Sequence, residues 1–180
     1  MELNILNAIQ NIRCDFLDKL MVAITSLGDA GIVWIVIAVI LLFIKKYRKI
    51  GITIILAITF SLIFTNGIIK PLVDRERPFT YVNDIILLIA TPTDSSFPSG
   101  HSSASFAAAT AIFCWNKKYG ICAYVLAGAI AFSRMYIFVH FPTDVGVGMI
   151  LGIIYGIMAF FAVKKFLSIR EERVNPKKNL

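Results

Sequence analysis

Both histidines of this 180-residue chain lie in short polar segments that interrupt long apolar runs. Four residues after His140 comes Asp144, a carboxylate within reach of one imidazole nitrogen. An acceptor there fixes the tautomer and leaves the other nitrogen free to act as a nucleophile. His101, in a different segment, is then the natural proton donor to a leaving oxygen. These residue types predict one histidine that attacks and a second that supplies a proton.

The same segments hold cations and a helix start that suit a phosphoryl group. Lys70, Arg77 and Arg134 supply three positive charges, enough for the non-bridging oxygens of one phosphoryl group. Ser99 is placed as a helix N-cap, so the N–H groups that follow point outward with the positive end of the helix dipole. Gly100 allows that backbone to approach a ligand closely. The set is sufficient for phosphoryl transfer without a metal, and we expect no cofactor.

The elements that must position these residues are helices in a membrane. Apolar residues make up 58% of the chain and charged residues 16%, and the mean hydropathy is +0.78. This composition excludes disordered and collagen-like chains, and three scattered cysteines exclude a disulfide framework or a zinc site. A crossing helix needs about 20 apolar residues. The sequence therefore predicts an all-α bundle of about five transmembrane helices, built on the apolar runs 30–44, 50–69, 102–115, 119–133 and 145–163.

Residues 1–28 have a different pattern, because apolar residues recur there at three- and four-residue spacing with charged residues between them. This pattern predicts an amphipathic helix or helix pair that lies in the membrane interface or against the bundle. Whether the segment crosses the membrane stays open. We assign residues 29–166 to the transmembrane core and residues 167–180 to a basic cytoplasmic tail.

Most of the 18 Lys and Arg residues fall on one predicted side of the membrane. They are Lys45, Lys46, Arg48, Lys49, Lys117 and Lys118, with Lys164, Lys165, Arg170, Arg173, Lys177 and Lys178 at the carboxyl end. The positive-inside rule makes that side cytoplasmic, so the carboxyl terminus is inside and both histidines face outward. Topology accounts for the net charge of +7, and no nucleic-acid partner is expected.

Three motifs resemble the tripartite signature of the type 2 phosphatidic acid phosphatase superfamily. They are Lys-x6-Arg-Pro at 70–78, Pro-Ser-Gly-His at 98–101, and Ser-Arg-x5-His-x3-Asp at 133–144. The resemblance implies that His140 forms a phosphohistidine and is oriented by Asp144. It implies that His101 acts as general acid and then as base for water. The residues it implies for phosphoryl binding are Lys70, Arg77, Ser99, Gly100 and Arg134.

The resemblance also implies an integral membrane enzyme that hydrolyses lipid phosphates or prenyl diphosphates without a metal. An outward-facing site favours undecaprenyl diphosphate, in the cytoplasmic membrane of a bacterium, with phosphatidylglycerophosphate or phosphatidate as the alternative. No motif contacts the lipid tail, so tail selectivity stays open, as does the oligomeric state. A non-enzymatic alternative is a binder or transporter that holds an anionic lipid headgroup and does not need the His140–Asp144 pair.

Two other features have structural interpretations. Asp74 and Glu76 could be read as metal ligands, but each is more simply a charge partner of Arg75 or solvated. A stripe of small residues on one helix face predicts close packing within the bundle rather than a dimer seam. The stripe consists of Gly148, Gly152 and Gly156.

Overall fold

The computed structural model describes residues 1–82 and 85–174, and within these ranges the chain forms helices and loops but no strand. The helices are α1 (Glu2–Gln10), α2 (Asp15–Leu27), α3 (Ile32–Phe43), α4 (Arg48–Phe60), α5 (Lys70–Val73), α6 (Gly100–Trp115), α7 (Lys117–Tyr136) and α8 (Pro142–Val174). The predicted all-α class is confirmed. The end of the predicted tail, residues 175–180, lies outside the described residues.

A π-helical segment, Ser61–Ile69, joins α4 to α5 in one continuous run of helix. Such segments are rare and are often found at functional sites. Here the hydroxyls of Ser61 and Thr65 lie 2.7 and 3.0 Å from the hydroxyl of Ser103 on α6. These buried hydrogen bonds fix the π-helical segment against α6. The segment leads directly to Lys70, the first cation of the predicted site.

Helix α6 is at the centre of the bundle and packs against α4, α7 and α8. Its fully buried alanines, which let the neighbouring helices come close, are Ala107, Ala108, Ala109 and Ala111. The glycine stripe of α8 faces α6, and a Cβ added at Gly152 would overlap the Ser103 carbonyl oxygen. A Cβ at Gly148 would lie 2.7 Å from the Ser99 carbonyl oxygen. The stripe therefore packs within the bundle, as predicted.

We expect Gly152→Ala to destabilise the protein, because the added methyl group would overlap the backbone of α6. Overpacking of this kind costs about 1–3 kcal/mol. Gly146→Ala is the matched control, since it lies in the same helix with nothing within 4 Å of an added Cβ. The control should be neutral or slightly stabilising through helix propensity. Thermal unfolding in detergent measures both, and equal melting temperatures for the two variants would contradict the close approach.

Two elements are long and apolar enough to cross a membrane, Arg48–Tyr81 with 34 residues and Pro142–Arg173 with 32. A third is added if α2 and Asp29–Phe43, which meet at a bend of 48°, form one broken span. Helix α3 has 12 residues and α6 has 16. At 1.5 Å per residue, helices of these lengths measure about 18 and 24 Å, short of a membrane core of about 30 Å. The five predicted spans therefore stay a prediction.

Helices α1 and α2 pack against α7, and α1 also contacts α8. Leu6 is fully buried in this contact. Gln10 donates a hydrogen bond of 2.9 Å to the Tyr136 carbonyl oxygen, and the Tyr136 hydroxyl donates one of 2.7 Å to Asp18. The amino-terminal helices are thus tied to the end of α7, next to the third motif.

Candidate active site

The three polar motifs meet around one cavity of about 520 Å³. Helices α5 and α7 end at this end of the bundle, and α6 and α8 begin there. The predicted site residues that line the cavity are Lys70, Arg77, Gly100, His101, Arg134 and His140. Ser99 and Asp144 are fully buried behind them. The fold therefore brings all the predicted site residues to one place.

The imidazole of His140 is held between a carboxylate and a guanidinium. Its Nδ1 lies 3.6 Å from Oδ2 of Asp144 and 3.4 Å from the Ser96 hydroxyl oxygen. Its Nε2 lies 3.4 Å from Nη1 of Arg77. Because a guanidinium only donates hydrogen bonds, the Nε2 that faces it carries the lone pair, and the ring proton belongs on Nδ1. The free electron pair therefore faces the cations of the cavity, which is the orientation that a nucleophile needs.

The surroundings keep His140 uncharged. Burial has the largest effect and lowers the pKa of His140; the hydrogen bond with Asp144 opposes it, and the charges of Arg77 and Arg134 add to it. A neutral imidazole can attack an electrophile, whereas an imidazolium has no lone pair to offer. The ring is therefore in its reactive form at neutral pH.

Asp144 is fixed by donors that were not identified from the sequence. The Ser96 hydroxyl and the Phe141 backbone N–H both donate to Oδ2, the latter over 2.8 Å. Arg75 donates to Oδ1 over 2.6 Å and also binds Glu2 over 2.7 Å. Arg75 belongs to the first motif, but nothing in its spacing pointed to a partner so distant along the chain.

The interpretation of Asp74 or Glu76 as the charge partner of Arg75 is wrong. Asp74 accepts a hydrogen bond of 2.8 Å from the Ser95 hydroxyl. Glu76 accepts one of 3.4 Å from the Thr80 hydroxyl. Both acidic side chains are exposed, which agrees with the alternative that they are solvated.

Asp94, absent from the predicted set, links two of the buried cavity cations. Its Oδ1 accepts a hydrogen bond of 2.8 Å from Nη2 of Arg77, and its Oδ2 pairs with the Lys70 ammonium. Partial burial alone would raise the pKa of Asp94, but Lys70 and Arg77 outweigh it and lower the pKa to about 2. The ionised carboxylate therefore pairs with cations that an anionic ligand would also bind.

The third cation, Arg134, has a hydrogen-bond donor without an acceptor among the described residues. Its Nη1 donates a hydrogen bond of 2.7 Å to the Thr25 hydroxyl on α2. Its Nε is the one buried side-chain nitrogen or oxygen in residues 1–82 and 85–174 that has no hydrogen-bond partner. A buried donor without a partner is costly. An anion in the cavity beside Arg134 would supply the missing acceptor.

The second motif starts a helix, as predicted. The Ser99 hydroxyl accepts a hydrogen bond from the Ser102 N–H, which makes Ser99 the N-cap of α6. Gly100 comes close to Asn66 of the π-helical segment, and a Cβ added at Gly100 would lie 2.6 Å from the Asn66 amide oxygen. Ser99 thus caps the start of α6, while the absence of a side chain at Gly100 leaves room for Asn66.

His101 lines the cavity from the first turn of α6. Its Nε2 lies 2.9 Å from Oδ1 of Asp29, which belongs to the turn between α2 and α3. The sequence pattern predicted a role for His101 but none for Asp29. The cavity thus contains two histidines, each paired with a carboxylate.

Known proteins share both the sequence pattern and the fold. The family model described as the PAP2 superfamily matches residues 49–167. An undecaprenyl-diphosphatase of Sulfolobus acidocaldarius is 34% identical over 165 residues, which are 91% of this chain and 75% of that protein. The crystal structure of Aquifex aeolicus LpxE has a TM-score of 0.77 at 31% identity, covering 88% of this chain and 93% of that one. The transmembrane PAP2 type phosphatidylglycerolphosphate phosphatase of Bacillus subtilis has a TM-score of 0.68 at 30% identity, covering 92% and 83%.

Proposed function

Because this chain belongs to the PAP2 superfamily, we propose that it is a membrane lipid phosphatase that works through a phosphohistidine at His140. The observation that carries this proposal is the orientation of His140, whose Nε2 faces Arg77 while Nδ1 faces Asp144. A protein that only bound a headgroup would need the cations but no imidazole aligned in this way. The arrangement therefore favours catalysis over binding or transport.

The proposed reaction has two steps. Nε2 of His140 attacks the terminal phosphorus, and the bond from that phosphorus to the leaving oxygen breaks while His101 gives that oxygen a proton. The leaving oxygen is the ester oxygen of a phosphomonoester or the bridging oxygen of a diphosphate. Water then attacks the phosphohistidine, loses a proton to His101 and releases inorganic phosphate, which restores both histidines. Lys70, Arg77 and Arg134 stabilise the charge on the phosphoryl oxygens, and this preorganised field supplies most of the rate.

The basic residues support an outward-facing site. The turn between α3 and α4 and the turn between α6 and α7 lie together, because the Lys49 ammonium is 4.3 Å from the centre of the Trp115 ring. Both turns are at the helix ends away from the cavity. The positive-inside rule makes this basic end cytoplasmic. The cavity then faces outward and the carboxyl end of α8 is inside.

In this proposal five helical elements cross the membrane: α3, the run from α4 to α5, and α6, α7 and α8. The short helices α3 and α6 need flanking residues, tilt or local thinning of the bilayer to do so. In the same proposal α1 and α2 lie at the outer interface, and the exposed side chains of Ile12, between the two helices, and Phe16 are available to contact lipid there. The cytoplasmic membrane of a bacterium is the proposed location.

Undecaprenyl diphosphate is the leading substrate, because an outward-facing phosphatase can act on a carrier lipid released on that side. The name of the Sulfolobus acidocaldarius relative supports this choice. Phosphatidylglycerophosphate is the second candidate, supported by the activity for which the Bacillus subtilis phosphatase is named. Phosphatidate remains a third. The proposed phosphoryl contacts come from the cavity cations, which do not distinguish among these lipids.

Release of inorganic phosphate by purified protein in detergent with excess EDTA tests the proposal. Undecaprenyl diphosphate and phosphatidylglycerophosphate are assayed side by side, and the ratio of their kcat/KM values ranks them. Release that survives EDTA is expected, because the two proposed steps use only side chains. Binding of either lipid without any phosphate release would favour the binder or transporter instead.

A further inference from the structure

Asp29 contributes a carboxylate to the cavity from a part of the chain that no motif covers. Its Oδ1 lies 2.9 Å from Nε2 of His101, and its side chain is 59% exposed and lines the cavity. The matched family region begins at residue 49, so the turn that carries Asp29 precedes it. The role of this residue therefore follows from its contacts alone.

The turn between α2 and α3 holds the His101 ring closely. A Cβ added at Gly28 would lie 2.7 Å from Cδ2 of His101 and 2.8 Å from a methyl carbon of Ile130, so only glycine fits there without a shift. The two residues after Asp29, Ala30 and Gly31, have φ angles of 49° and 70°. A non-glycine residue in this region of backbone space is uncommon and usually reflects a constraint. The turn therefore brings Asp29 to the edge of the imidazole.

The charges around His101 oppose one another. Lys70 from α5 and Arg134 from α7 line the same cavity with positive charge. Asp29, from the turn between α2 and α3, brings a negative charge to 2.9 Å from Nε2 of the ring. A general acid must hold a proton to donate it. Asp29 is the carboxylate that contacts the ring and can stabilise its protonated form.

We propose that Asp29 is the positioning residue of the His101 general acid. It accepts a hydrogen bond from Nε2–H and stabilises the imidazolium, so that Nδ1–H is the group that protonates the leaving oxygen. After the transfer His101 is neutral at Nδ1, and water returns the proton in the second step. The inference rests on the proposed function, since it assigns a partner to the acid of that reaction.

The test combines Asp29→Asn with two substrates that differ in leaving group. Phosphatidylglycerophosphate loses an alkoxide, which needs a proton, whereas p-nitrophenyl phosphate loses a phenolate, which does not. We expect kcat/KM for the lipid to fall by about 10²-fold, the lower end of general-acid contributions. The value for p-nitrophenyl phosphate should change far less. Asp29→Glu should recover part of the lipid activity, and Asp15→Asn removes the same charge from an exposed position as the control.

A second measurement does not depend on turnover. The chain has only two histidines, so ¹⁵N-histidine labelling gives two pairs of imidazole nitrogen signals, and His140→Ala identifies which pair belongs to His101. Loss of the ion pair in Asp29→Asn should move the His101 titration midpoint down by about one pH unit. The alkaline limb of the plot of kcat/KM for the lipid against pH should move in the same direction, because His101 loses its proton at a lower pH.

The outcomes separate this inference from the proposed function. Equal losses on both substrates, or an unchanged His101 midpoint, would overturn the role of Asp29 while leaving an active phosphatase. If the unaltered protein releases phosphate from neither undecaprenyl diphosphate, phosphatidylglycerophosphate nor p-nitrophenyl phosphate, or if His140→Ala still turns over, the proposed function fails instead. The titration of His101 would then still show whether Asp29 stabilises the protonated imidazole.

Discussion

His140→Ala should abolish turnover, with phosphate release reduced by at least about 10⁴-fold, the scale on which loss of a nucleophile acts in other hydrolases. The imidazole is 1% exposed, and its Nε2 faces Arg77. Water would have to attack phosphorus directly, without a group to activate it at that position. Multiple-turnover phosphate release measures the loss.

Two controls accompany this variant. His140→Gln keeps a polar side chain in the buried position, so a melting temperature near that of the unaltered protein separates loss of chemistry from loss of fold. Acid-labile labelling from a ³²P-lipid should appear in the unaltered protein and be absent from both variants. Repeated turnover by His140→Ala would refute the phosphohistidine.

Asp144→Asn should reduce kcat by about 10³–10⁴-fold, as loss of the orienting carboxylate does in a catalytic triad. An asparagine amide beside Nδ1 can donate a hydrogen bond, which would favour the tautomer with its proton on Nε2. That proton would remove the lone pair from the nitrogen that faces Arg77. The variant would also lose the charge that stabilises the cationic His140 formed during attack.

Ser96→Ala is the comparison that isolates the carboxylate. It removes the hydroxyl that donates to Asp144 and leaves the charge in place, so its effect should be much smaller than that of Asp144→Asn. Steady-state kinetics on the same lipid measure both variants. A near-normal rate in Asp144→Asn would show that Asp144 does not orient His140.

The sequence predicted where the proposed site residues lie in the fold, because each motif lies at a helix end. Ser99 caps α6 and Pro142 begins α8, so local chain chemistry places His101 and Asp144. The spacing of four residues between His140 and Asp144 is also local, and it sets which imidazole nitrogen faces the carboxylate. Features determined within one turn of helix could be read without any tertiary information.

The remaining contacts depend on pairs far apart in the chain. Arg75 meets Asp144 across 69 positions, and Asp29 meets His101 across 72. A single serine in a loop, such as Ser96, carries no pattern that separates it from its neighbours. The number of spans was equally hard to predict, since α3 and α6 are shorter than a helix that crosses the membrane core unaided.

In the proposed reaction phosphoryl binding is a competition between two anions, because the Asp94 carboxylate already pairs with Lys70 and Arg77. A phosphoryl group that binds Lys70 and Arg77 has to displace an ionised side chain from the same chain. The apparent dissociation constant is therefore the intrinsic constant divided by the fraction of molecules in which Asp94 has moved away. Product release runs the exchange in reverse, because the returning carboxylate takes the place of inorganic phosphate. Competition with Asp94 thus weakens phosphoryl binding and also favours the release of inorganic phosphate.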